Sequence, residues 1–250
     1  MVNVRRRVFI PVAAVAIIAA LGGAAAYAYY FSGLRTSPST LALSSPVPSA
    51  TAATSASPTV SPSGTAPAGT WQIGAGSLAG YRVKEQFVGQ TSAHEAVART
   101  SGVTGEVTIA RTGSNYQVTA AKVTVQLASL ASVDQVAGYN VTNRDRIVSQ
   151  TLDVSQYPTA VFQALAVTLP SGADSGSAVT VSIPGTLTVR GVTKSVTATV
   201  QLRVSGNTAQ VAGSISTNMA DFGISAPSMP FTNVQSAITL EFQLNLTKTA

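Results

Sequence analysis

Asn143-Arg144-Asp145-Arg146 sets three charges side by side, and Asp153 follows shortly after. From Trp71 onward the chain holds only 20 Lys, Arg, Asp and Glu, and four of them fall between Asn143 and Phe162. Arginine offers a planar fork of donors that grips phosphate or carboxylate at two points. Two chemistries follow from that: a clamp for the phosphate of a ligand, or an Arg–carboxylate fastening that pins a helix over one end of a sheet. The fastening is the expectation, with Arg144 and Asp145 as its residues. Glu85 shares strand parity with Tyr81, Val83 and Phe87, so its carboxylate lies on an apolar face. An unpaired charge there is costly, and Arg99 or Arg144 would relieve it at a barrel mouth. His94 could serve as a base, but no nucleophile or carboxylate stands at a recognisable spacing from it. It is expected at the surface.

Several other chemistries are excluded. The chain has no cysteine and one histidine, which removes disulfides, thiolate chemistry and multi-histidine metal sites. Asp221-Phe222-Gly223 matches the metal-binding tripeptide of kinases, yet no Gly-rich loop with its lysine and no catalytic loop accompany it. The glycines from Gly74 to Gly80 miss dinucleotide spacing and lead into a strand pattern. No G-x-S-x-G elbow exists. No enzyme activity, cofactor or metal is expected. The net charge of +6 is concentrated before Trp71, where Arg5, Arg6, Arg7 and Arg35 lie without a single acid. Beyond it, eleven basic residues face nine acidic ones, too weak a field for nucleic acid.

The elements that must position these residues fall into segments. Residues 1–7 form a basic N-terminus. Residues 8–31 carry no charge, and about 20 apolar residues span a bilayer as a helix. The preceding arginines keep the N-terminus cytoplasmic; a cleaved signal peptide, with Ala26-Tyr27-Ala28 as its site, is the alternative and would leave a secreted protein. Arg6-Arg7 also fits an ordinary basic flank or a twin-arginine signal. Residues 32–70 read as a disordered linker, since 31 of the 35 residues from Thr36 to Thr70 are Ser, Thr, Pro, Ala or Gly. Extended at about 3.1 Å per residue, it would hold the next domain up to about 100 Å from the membrane.

Residues 71–250 have the texture of antiparallel sheet. Ile238, Leu240, Phe242, Leu244 and Leu246 alternate with Thr239, Glu241, Gln243 and Asn245, and residues 192–204 repeat the pattern. Further runs cover 81–88, 103–110, 116–127, 159–169, 179–189 and 208–217. Gly-rich turns separate several of them. About eight one-sided strands form a closed barrel or a sandwich, and residues 134–149, which lack alternation, are assigned a short helix.

Asn143-Arg144-Asp145 through Leu152-Asp153-Val154 and Tyr157-Pro158-Thr159-Ala160-Val161-Phe162 resembles the central signature of the YceI-like family. Pro184-Gly185-Thr186-Leu187-Thr188-Val189-Arg190-Gly191-Val192-Thr193 is similar to its second signature, Asp221-Phe222-Gly223-Ile224 to its third, and Trp71-Gln72-Ile73 with Tyr81-Arg82-Val83 to its opening strand. The resemblance implies a mainly β fold: an antiparallel, eight-stranded, lipocalin-like barrel with a short capping helix, binding an isoprenoid or other lipid-like chain in its lumen outside the cytoplasm. Leu152 stands where the family commonly has an aromatic, and Met219-Ala220 where a basic residue is frequent. Lumen positions are expected at Tyr81, Val83, Val107, Leu127, Phe162, Leu187, Val200, Phe222, Leu240 and Phe242, with Glu85, Arg144 and Asp145 as headgroup or lid contacts. Ala160, Ala164 and Ala166 should leave space around Phe162. The competing expectation is a surface interaction module whose barrel is filled by bulky side chains.

Overall fold

The computed structural model describes residues 35–44, 67–88, 93–136, 140–230 and 232–249. The strands in chain order are β1 (Arg35–Thr36), β2 (Gly69–Ile73), β3 (Leu78–Phe87), β4 (His94–Thr100), β5 (Val103–Thr112), β6 (Asn115–Gln126), β7 (Ala131–Ser132) and β8 (Gln135–Val136). Helix α1 (Thr142–Thr151) separates these from β9 (Thr159–Ala164), β10 (Val167–Thr168), β11 (Val179–Val189), β12 (Val192–Ser205), β13 (Thr208–Asn218), β14 (Ser228–Met229) and β15 (Thr232–Lys248). A short 3-10 turn, Met219–Phe222, follows β13.

Eight of these strands close a ring in the order β13-β12-β11-β9-β6-β5-β2-β15, and β15 pairs back onto β13 over Thr208–Asn218. Every pairing is antiparallel, as one-sided period-two strands joined by tight turns require. The 17-residue β15 carries the closure: one edge pairs with β13, while the other serves β2 near the C-terminus and β3 along the rest. β3, β4 and β7 extend the wall beyond the ring at the end where α1 sits. The β11–β12 hairpin turns on Arg190 and Gly191, both at positive φ (50° and 74°), the geometry of a type I′ turn.

The structure differs from the sequence reading in three places. The polar stretch around His94 is a strand, β4, paired to β3 along seven positions. It lacks alternation because both its faces are covered: Ala96, Val97 and Ala98 are all buried. The run expected over 159–169 breaks after Ala164, where Leu165 turns out to solvent, so Ala166 does not continue the inward row. The short helix expected within 134–149 is present at Thr142–Thr151, preceded by Gln135–Val136, which pairs with Arg35–Thr36. That pairing corrects the linker, for residues 35–44 lie against the barrel wall. The span expected over 8–31 lies outside the described residues, and no helix among those described is long and apolar enough to cross a membrane.

An apolar cavity beneath a charged lid

Inward-facing side chains enclose a cavity of about 290 Å³. That is near the lower end of the range for small-molecule sites, about 300–1,000 Å³, and well above the roughly 150 Å³ of an apolar void that admits benzene. All ten expected lumen residues line it: Tyr81, Val83, Val107, Leu127, Phe162, Leu187, Val200, Phe222, Leu240 and Phe242. The filled-barrel expectation is therefore overturned. The space survives because small residues face it. Ala121 lies opposite Ala164 on neighbouring strands, and both line the cavity. Glycine lets the aromatics lie flat against the wall: a Cβ at Gly185 would come within 2.7 Å of the Phe162 ring, and one at Gly213 within 2.8 Å of the Phe242 ring.

The far end of the cavity is apolar throughout. Trp71, Val204, Ala209 and Leu246 pack there, and the Trp71 indole N–H donates to the Pro67 carbonyl at 2.8 Å. The other end is covered by α1, the Leu152 that follows it and the 3-10 turn; Ile147, Val148, Leu152, Met219 and Phe222 contribute to the lining. Asn218 caps the turn by accepting from the Ala220 N–H at 3.1 Å, and Gly223, at φ 66°, ends it. This is what the Asp-Phe-Gly tripeptide does here: it drives Phe222 into the barrel end, 3% exposed. Leu152 packs with Phe222 and Leu187, so an aliphatic side chain fills the position where the family commonly carries a ring.

Helix α1 has no side-chain N-cap and no fully buried residue. Tertiary fastenings hold it. Arg144 donates from Nε to Glu85 Oε1 (2.9 Å), from Nη2 to Glu85 Oε2 (3.0 Å) and from Nη1 to Asp134 Oδ1 (2.7 Å). Asp145 accepts from the Ser132 backbone N–H at 2.9 Å and from its hydroxyl at 2.6 Å, tying α1 to β7. Asp145 does not line the cavity. The expected Arg–Asp pair thus forms between Arg144 and Asp134 rather than between chain neighbours. Of the two partners expected for Glu85, Arg144 is the one used; Arg99 pairs with Glu241 instead.

His94 is the clearest correction. It is 4% exposed rather than at the surface, and its Nε2 lies 2.7 Å from Asp134 Oδ2. Forty residues separate the pair, so no local spacing announces it. Burial alone would push the Asp134 carboxyl up, but hydrogen bonds from His94, Arg144 and the Val97 N–H outweigh it and hold the group down at about 2. Burial raises Glu85 above the ordinary carboxylate range despite the opposing pull of Arg144. Burial likewise raises the Tyr81 phenol. Its ring lines the cavity, and its buried hydroxyl, near the Arg144 and Glu85 charges, has no hydrogen-bond partner among the described residues.

The YceI-like domain pattern matches residues 75–246. The chain belongs to the YceI-like family. A polyisoprenoid binding domain from Saccharophagus degradans, implicated in plant cell wall breakdown, shares the fold at a TM-score of 0.50 and 14% identity, over 72% of this chain and 98% of that one. Burkholderia cenocepacia BcnA superposes at 0.45 with 18% identity (66% and 95% covered), and a Campylobacter jejuni YceI protein at 0.41 with 17% (67% and 86%). No curated protein matches the chain. The YceI-like fold, an eight-stranded antiparallel barrel with one helix over its end, agrees with the expectation from sequence.

Proposed function

We propose that this YceI-like protein is a non-enzymatic, membrane-tethered carrier that works outside the cytoplasm and holds an isoprenoid or similar long apolar chain in its barrel. The open apolar cavity carries this reading. Each buried CH₂ of a guest contributes roughly 0.8 kcal/mol, so one isoprene unit offers about 3–4 kcal/mol before ordering costs. Affinity requires no polar chemistry, and the lumen wall supplies almost none.

The lid end refines the guest. Arg144 spends three donors on Glu85 and Asp134 and has no charge to spare for a phosphate. Glu85 and Asp134 would repel an anionic headgroup. The Tyr81 hydroxyl, buried near this end without a partner among the described residues, is a donor that a small side-chain shift would offer to a guest. A neutral polar end, such as an alcohol, ketone or quinone oxygen, matches it. The phosphate-clamp option is accordingly set aside, and Arg144 holds the lid.

The anchor rests on the apolar residues 8–31 and the arginines before them. Native mass spectrometry of the full chain, extracted gently and then offered prenyl alcohols, tests the carrier reading. Copurified or acquired mass corresponding to one apolar chain per barrel is the expected result. A protein that stays empty with lipid in excess is no carrier.

A further inference from the structure

Residues 35–44 belong to the segment whose composition signals a spacer, yet they run across the outside of the barrel. Thr36 and Arg35 pair with Gln135 and Val136. Arg82 then donates from Nη2 to the Pro38 carbonyl at 2.6 Å, and Arg99 from Nη2 to the Ser39 carbonyl at 2.5 Å. The Leu41 N–H donates to Glu241 Oε2 at 3.2 Å. Arg203 reaches the Ser44 carbonyl at 3.0 Å, with Gln210 and Gln243 on its hydroxyl. Beneath this crossing, Arg82 and Glu241 form a 2.6 Å ion pair whose side chains are 6% and 2% exposed. Both lie on outward-facing strand positions, where charge is ordinarily wet; they are buried because the segment covers them.

The place where the segment begins matters most. Gln135 follows Asp134, the carboxylate that holds Arg144 of α1. The chain therefore meets the barrel at its lid end. Phe31, the last residue of the expected span, precedes Arg35 by four positions, which reach at most about 15 Å. We propose that residues 36–44 are a strap that cancels the spacer, seating the lid end of the barrel on the bilayer surface with the Trp71 end pointing away. The strap rests on the anchor reading for its membrane end alone. Its contacts with the barrel stand independently. The consequence is functional: a lid facing the bilayer exchanges apolar chains with the membrane directly, whereas a barrel about 100 Å away would exchange them through water.

The test uses the full chain in liposomes. The protein has no cysteine, so single labels are specific. Ser149→Cys marks the exposed face of α1, and Asn207→Cys the exposed β12–β13 turn at the opposite end. Energy transfer to a dye in the bilayer should be strong from position 149 and weak from 207. Replacing residues 36–44 by Gly and Ser of equal length should erase that difference. The same replacement should slow uptake of a prenyl alcohol from the host vesicle on the order of tenfold, as a freed tether dilutes the barrel. Hydrogen exchange of the Leu41 amide, expected to be slow in the native chain because it donates to Glu241, reports the strap itself. Equal transfer from the two labels in the native chain, or rapid exchange at Leu41, overturns the strap while leaving the carrier reading intact. Release of the chain by alkaline carbonate overturns the anchor, and the membrane orientation with it.

Discussion

The barrel buries charge in two places, and the two are built differently. At the lid end, Arg144 of α1 meets Glu85 and Asp134 side chain to side chain, and His94 completes the group. On the outer wall, Arg82, Arg99 and Glu241 also interlock, but they grip the crossing segment through its backbone: the Pro38 and Ser39 carbonyls and the Leu41 N–H. Each cluster fastens a segment with no strong claim to its own structure, since α1 lacks a side-chain cap and residues 35–44 lack alternation. The lid fastening depends on the identity of both partners. The strap fastening depends on the identity of the barrel residues only.

The largest test of this contrast is Arg144→Ala. It strands Glu85 and Asp134 in a buried site, and removing one partner of such a group costs about 3–5 kcal/mol. Arg82→Ala should cost less, about 1.5–3 kcal/mol for lost hydrogen bonds to a charged group, because Glu241 keeps Arg99 at 2.8 Å and water can enter where the strap lifts. Urea unfolding of the two variants gives the comparison directly. Equal losses would show that the two clusters are buried alike, and the distinction would fall.

That distinction also governs what could be read from the residues. The lumen was legible because period two assigns a side to every residue once one strand is placed, and all ten assignments face the cavity. The fold was legible from the same periodicity and from three signatures in order. β4 was not, because a strand covered on both faces shows no alternation. The His94–Asp134 pair was not, because the two stand forty positions apart and neither residue carries a local mark of its partner. The strap is the deepest miss. Carbonyls are offered by every residue, so a Ser/Thr/Pro segment held by its backbone looks the same as one held by nothing. The signal available was on the barrel: Arg82, Arg99 and Glu241 fall at outward positions of adjoining strands, an unusual concentration in a chain with so little charge.

The lid cluster should leave a signature in acid. Asp134 sits at about 2 in the folded chain against an ordinary 3.8, so its contribution is present above about pH 4 and lost as the pH falls toward 2. The size is about 2 kcal/mol by linkage. Glu85 acts in the opposite sense: its raised affinity for a proton favours the folded state at low pH, and that contribution disappears as the pH climbs through its elevated value. Asp134→Asn should flatten the acid limb of a stability–pH profile measured by urea unfolding between pH 2 and 6. A limb that persists in the variant would assign acid sensitivity to carboxylates elsewhere.

The smallest expected effect on folding is the most informative about the guest. The Tyr81 hydroxyl is buried without a partner among the described residues, and such a group costs about 1–3 kcal/mol relative to a satisfied one. Tyr81→Phe removes the unmet donor while keeping the ring that lines the cavity, so the empty protein should be unchanged or more stable by about 1 kcal/mol. Binding should respond differently. A chain ending in a hydroxyl or ketone gains a hydrogen bond from Tyr81 that a plain hydrocarbon of equal length cannot, and losing it should weaken the polar-ended ligand by up to about tenfold. The hydrocarbon should bind the two proteins equally. If both ligands lose affinity together, the ring's packing is what matters, and the polar end of the guest lies elsewhere. If neither changes, the lumen discriminates by carbon alone, and the lid cluster serves to close the barrel without reading what is inside.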